Sequence, residues 1–124
     1  MSIQKPTESE LEILQLLWQS GPATVKQINE ELNKVKETGY TTTLKIMQIM
    51  HEKELLTREQ AGRQHVYSAA VSAEQTRGSL LNRFIDSTFQ GNAMGLVMQA
   101  LGNHQASSEE LDELKELIKQ LEQK

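Results

Sequence analysis

The stretch Tyr40–Lys53, YTTTLKIMQIMHEK, sorts its side chains by chemistry when projected as a helix at about 100° per residue. Thr41, Thr42, Lys45, Gln48 and Ile49 fall on one side with Glu52 and Lys53, while Tyr40, Thr43, Leu44, Met47, Met50 and His51 gather on the other. The first set has the chemistry of base-edge recognition. Threonine bonds to phosphate or base and offers a methyl to thymine, glutamine pairs with adenine, and lysine reaches guanine or phosphate. Ile49 is out of place on a solvated face and suits contact with a thymine methyl. The same pattern also describes an ordinary solvated face with one stray isoleucine, so its neighbours must decide between the two. Those neighbours include Arg58 and Arg63 in a short downstream hairpin and Lys26 at the start of the preceding helix. All three are suited to backbone phosphates, although arginines on an exposed hairpin also serve simply to keep an edge soluble.

Other chemistries find little support. His51, His65 and His104 include no pair at ligand spacing on one helix, and there is no cysteine to join them, so neither a metal nor another cofactor is expected. No nucleophile lies in a glycine-flanked elbow and no phosphate-cradling loop occurs, so the chain does not read as an enzyme. The 124 residues amount to one domain, or a small domain with an appended assembly segment. Absence of cysteine fits a reducing compartment. With a mean hydropathy of −0.53, no apolar run near the ~20 residues of a membrane span and no hydrophobic core in MSIQKPTESE, a soluble cytoplasmic protein without membrane insertion is expected. Thirteen basic against seventeen acidic residues give a net charge of −4, which argues against a strongly basic nucleic-acid wrapper and motivates a rival reading as a protein-interaction module.

The elements that would position these residues are legible. Thr7 and Glu10 form a capping box ahead of Leu11, Leu14 and Trp18, and Ser20-Gly21-Pro22 ends that helix. Thr24 and Gln27 form a second box, followed by a four-turn stripe of Val25, Ile28, Leu32 and Val35. After Leu55 the period changes: Leu56–Glu59 and Gln64–Ser68 read as strands joined by Gln60-Ala61-Gly62-Arg63, with Gly62 supplying positive φ. Three helices and a hairpin within about 70 residues is the plan of a winged helix-turn-helix domain. The fold class is therefore mostly α, with residues 1–70 as the winged domain and 71–124 as a three-helix region.

That C-terminal region carries Leu80, Leu81, Phe84, Ile85 and Phe89 on one helix, then Met94, Leu96, Val97, Met98 and Leu101 on a second. Ser107 and Glu110 cap a last helix with Leu111, Leu114, Ile118 and Leu121. Three short helices cannot bury so much apolar side chain among themselves. Two-fold self-association through Leu81, Phe84, Ile85, Phe89, Leu96, Val97, Leu101, Leu114, Ile118 and Leu121 is the expected solution, in preference to folding back on the winged domain.

Taken in order and spacing, Thr7-x-x-Glu10-x-x-Ile13-Leu14-x-x-Leu17-Trp18, Thr24-Val25-Lys26-Gln27-Ile28, Tyr40–Leu44, Glu54-Leu55-Leu56 and Gly62-Arg63-x-His65-Val66-Tyr67 make the chain similar to the penicillinase-repressor family over about residues 7–122. These are winged-helix transcriptional repressors of the BlaI/MecI type, with the copper-responsive CopY type as relatives. The resemblance implies a homodimer on a palindromic double-stranded DNA operator, with dimerisation over Ser72–Leu121. It maps the recognition positions onto Thr41, Thr42, Thr43 and Lys45, although periodicity turns Thr43 inward. Many relatives carry arginine where this chain has Ile49. In the penicillinase branch a membrane sensor peptidase triggers cleavage at an Asn-Phe pair, which here is Gln99-Ala100; the cysteine-rich tail of the copper branch is missing.

Overall fold

The computed structural model describes residues 5–103 and 105–122; His104 lies outside the described residues. The order of elements is α1 (Glu8–Ser20), α2 (Val25–Asn33), α3 (Tyr40–Glu52), β1 (Leu56–Ala61), β2 (Gln64–Ala69), α4 (Ala73–Thr88), α5 (Ala93–Asn103) and α6 (Ser108–Glu122). All three capping boxes form. Glu10 N–H donates to Thr7 Oγ1 at 3.2 Å while Thr7 N–H donates to Glu10 Oε1 at 2.9 Å, and Thr24 with Gln27 and Ser107 with Glu110 repeat the exchange.

The first compact unit reaches Leu81, beyond the residue 70 at which the sequence pattern divides the chain. Its core is formed where α1, α2 and α3 meet the hairpin, with Ile13, Leu14, Leu17, Ile28, Met47, Met50, Leu56 and Tyr67 all buried. The start of α4 joins this unit. Trp18 Nε1 donates to Val71 O at 2.9 Å, and the Arg77 guanidinium lies 5.9 Å from the centre of the Trp18 ring.

Two details differ from the sequence pattern. Helix α2 stops at Asn33, and Val35, expected on its buried stripe, is 92% exposed. The cause is local: the Lys34 and Val35 N–H groups bond to Glu31 O and Leu32 O three residues back, which tightens the last turn and swings Val35 off the face. The strands are also longer than expected. They pair from Leu56↔Ala69 to Ala61↔Gln64, leaving only Gly62-Arg63 as the loop, with Gly62 at φ +65°. The hairpin is tied to the α1–α2 connection by Ala23, whose N–H and C=O exchange bonds of 3.0 and 2.8 Å with Tyr67.

The second unit, Asn82–Lys124, has a different character. Neither α5 nor α6 has a buried residue. Phe84 and Phe89 meet edge to face at 5.8 Å, yet Phe84 remains 48% exposed and Met94 66% exposed. Among the described residues, no helix is long and apolar enough to cross a membrane.

Helix α3 ends in a Schellman turn, with Leu55 N–H donating to Met50 O and Glu54 N–H donating to His51 O. Glu54 occupies its left-handed position at φ +66°, a conformation that costs an L side chain about 1–2 kcal/mol. Replacing it with glycine removes that strain but adds unfolded-state freedom. Glu54→Gly is therefore expected to raise stability by about 0.5–1 kcal/mol in chemical denaturation; a loss of stability would show that the Glu54 side chain makes a compensating interaction.

Candidate nucleic-acid interface

Whether α3 can read a surface depends first on what fixes it. At its N-terminal end the turn from α2 is closed by two asparagines. Asn29 Nδ2 donates to Thr38 O at 2.9 Å and to Thr43 Oγ1 at 2.8 Å. Asn33 Nδ2 donates to Asn29 O at 2.7 Å and to Thr38 O at 2.9 Å, and Thr38 N–H returns a bond to Asn33 Oδ1 at 3.0 Å. Thr43 Oγ1 donates in turn to Gly39 O at 3.3 Å.

At the other end Lys53 Nζ lies 2.9 and 3.1 Å from the two Glu10 oxygens, joining the last turn of α3 to the first turn of α1. Burial pushes the Glu10 carboxyl up, but the Thr7 N–H bond and the Lys53 ammonium outweigh it and hold the group below its ordinary value.

Between these ties, Thr41, Thr42, Lys45, Gln48 and Ile49 are all exposed, so the structure gathers on one outward face the residues that the pattern placed there. Thr43 requires a correction. The family resemblance puts it among the recognition positions, but its side chain is fully buried and its hydroxyl is used by Asn29 and Gly39. It is a strut beneath the face rather than part of it. Lys53, counted on the polar side by periodicity, is likewise committed to Glu10. Gly39 offers no side chain to cap α3, so the N–H groups of its first turn carry no such cap. That end of the helix favours an anion.

Beside this end lies a cleft of about 140 Å³ between the starts of α2 and α3 and the hairpin. Lys26 and Arg63 line it together with Tyr40, Gln64 and His65, and no carboxylate is among the lining residues. Arg58 is exposed on β1, opposite Tyr67, and is not part of the lining. Helical periodicity assigned Tyr40 to the inner side, but it is 52% exposed at the cleft because it opens the helix, ahead of the first buried turn. Asn29 was also missed; the Asn29-x-x-x-Asn33 spacing just before a turn is the signal that marks it. Among the described residues, no group of three His, Asp or Glu side chains is placed to hold a metal ion.

The sequence model of one family, the penicillinase repressors, matches residues 6–120. The chain belongs to the penicillinase repressor family. This is a family of transcriptional repressors, not of enzymes. The chain is 25% identical over 122 residues to the penicillinase repressor of Bacillus licheniformis, covering 95% of this chain and 92% of that one. It is 19% identical over 116 residues to the penicillinase repressor of Staphylococcus aureus, covering 94% and 92%. In fold it is similar to the monomeric form of Bacillus licheniformis BlaI solved in complex with the blaP half-operator. That match has a TM-score of 0.51 at 20% identity and covers 59% of this chain and 89% of the other. The three helices and hairpin are thus a winged helix.

Removing Lys53 leaves the Glu10 carboxylate buried without its cation. Lys53→Met is expected to cost about 1–3 kcal/mol at pH 7 by chemical denaturation. Because the folded carboxyl titrates below its unfolded value, the stability it contributes is present above the unfolded value and is lost as pH falls through the folded one. The difference between the two proteins should therefore shrink as pH falls below the ordinary carboxyl range; a difference independent of pH would mean that lost packing, not the ion pair, sets the cost.

Proposed function

We propose that this chain is a cytoplasmic, sequence-specific DNA-binding repressor that acts as a homodimer on a two-fold symmetric operator. One observation carries the reading most: the outward face of α3, fixed at both helix ends, adjoins a carboxylate-free cleft holding Lys26 and Arg63. With α3 in the major groove, Thr41, Thr42, Lys45 and Gln48 meet base edges and Ile49 meets a thymine methyl. Lys26 and Arg63 take backbone phosphates, and Arg58 on the hairpin reaches the flanking backbone or minor groove. That relatives in the family are penicillinase repressors, and that BlaI is solved with a half-operator, supports the same assignment.

The charge balance is compatible with it. Of the net −4, only −1 belongs to residues 1–70 and −3 to residues 71–124, while residues 40–67 are net +1. Non-specific affinity should be modest, so occupancy depends on pairing two copies. The apolar surface left open on α4, α5 and α6 supports a two-fold interface through Leu81, Phe84, Ile85, Phe89, Leu96, Val97, Leu101, Leu114, Ile118 and Leu121. A proteolytic release by a sensor peptidase forms no part of this reading. Gln99-Ala100 replaces the Asn-Phe pair and sits inside α5, which would have to unwind before cleavage.

Lys45→Ala and Gln48→Ala should each cost about 1–3 kcal/mol on the preferred duplex and little on random duplex. Lys26→Ala and Arg63→Ala should weaken both and flatten the salt slope by about one unit each. Equal losses on both duplexes for all four would remove base reading by α3, and absence of any salt-sensitive, selective binding would favour a protein-interaction module. The full chain should sediment as a dimer at micromolar concentration, and Val97→Asp with Leu101→Asp should lower dimer affinity at least about tenfold. A monomeric wild-type chain would defeat the two-fold interface.

A further inference from the structure

The cleft beside the start of α3 contains an imidazole that the reading above does not use. His65 lies two residues before Tyr67 on β2, so the two side chains share a face of the strand, and their rings meet edge to face at 6.3 Å. Tyr67 is buried and tied through its backbone to Ala23, which fixes the strand that carries His65. His65 itself is exposed and lines the cleft with Lys26 from α2, Tyr40 from α3 and Arg63 from the hairpin loop. On β1 its partner is the neutral Gln60, and Arg58 stands opposite Tyr67 on the same face; Glu59 pairs with Val66 and so belongs to the other face. The titratable and charged groups around His65 are thus Lys26, Tyr40, Arg58, Arg63 and Tyr67, with no carboxylate among the lining residues.

We infer that this cleft seats a phosphodiester of the DNA backbone and that His65 is one of its ligands, making the affinity for DNA rise as pH falls. The inference rests on the DNA-binding reading. The cleft, about 140 Å³, has room for a phosphate-sized group. Lys26 and Arg63 supply charge at any physiological pH, and Tyr40 can donate an O–H. Imidazole is the side chain whose charge changes between about pH 5 and 8. Among the lining and strand-paired groups, those that carry charge near neutrality are cations, so the arriving phosphate supplies the anion that favours the protonated ring. By linkage, binding takes up a proton, and affinity strengthens as pH is lowered.

The test uses the full chain and the duplex it selects from a randomised pool, titrated at constant ionic strength between about pH 6 and pH 7.5. Wild type should bind about three- to tenfold more tightly per half-site at the lower pH. His65→Gln should bind weakly with a flat pH profile, and His65→Lys should bind tightly with a flat one. His51→Gln, altered in α3 outside the cleft, should keep the wild-type slope. A pH-dependent His65→Gln protein, or a flat wild type that still selects DNA, would overturn the role of His65 and leave the DNA-binding reading standing. Failure to select any duplex would instead overturn that reading, and this inference with it. In the complex with the selected duplex, inorganic phosphate should no longer shift the His65 ring resonances, because the backbone phosphate fills the cleft; a phosphate-induced shift that persists in the complex would assign the cleft to the free anion and overturn the DNA assignment.

Discussion

Under the proposed function, helix α3 can serve as a reading element because its two ends are tied to different parts of the domain by polar contacts. At the start, Asn29 and Asn33 converge on the Thr38 carbonyl, and Asn29 also holds the buried hydroxyl of Thr43. At the finish, Lys53 grips both oxygens of Glu10, whose carboxylate is also the partner of the Thr7 amide in the α1 capping box. Glu10 and Thr43 are buried polar groups and costly to leave unpaired, so a rotation or slide of α3 would strand one at each end. The apolar core between them, Met47 and Met50 against Ile13 and Leu14, fills space but is adaptable in shape. The polar ties therefore set the register of the outward face, and the core supplies most of the energy.

The same division of labour extends across the chain. The first unit buries a complete core and presents polar and cationic side chains at one edge. In the second unit, α5 and α6 bury nothing, and apolar side chains face outward. A DNA-binding unit with a slightly negative charge balance cannot rely on counterion release alone. Under the proposed function, affinity comes from a few directed contacts counted twice, which an assembly segment would provide.

Much of this was legible before any coordinates. The capping boxes, the inward turn of Thr43, the exposed Thr41–Ile49 face and the glycine in the hairpin loop all follow from contacts within a few residues, which local spacing encodes. What escaped depends on partners far apart in the chain or on competition at an element's end. The Glu10–Lys53 pair spans 43 positions and the Ala23–Tyr67 bridge is similarly remote. Val35 continues the α2 stripe by periodicity, but the Asn33–Thr38 exchange ends the helix first. Tyr40 and His65 share the cleft only because α3 and the hairpin are brought together by the fold.

The account stands on two copies of α3 reading a two-fold symmetric site. Selecting duplexes with the full chain from a randomised pool, then sequencing those retained, tests this most directly. The account predicts an inverted repeat whose half-sites lie about one helical turn, or a multiple of it, apart. Enrichment of a single unpaired motif, or no enrichment over the starting pool, would contradict it.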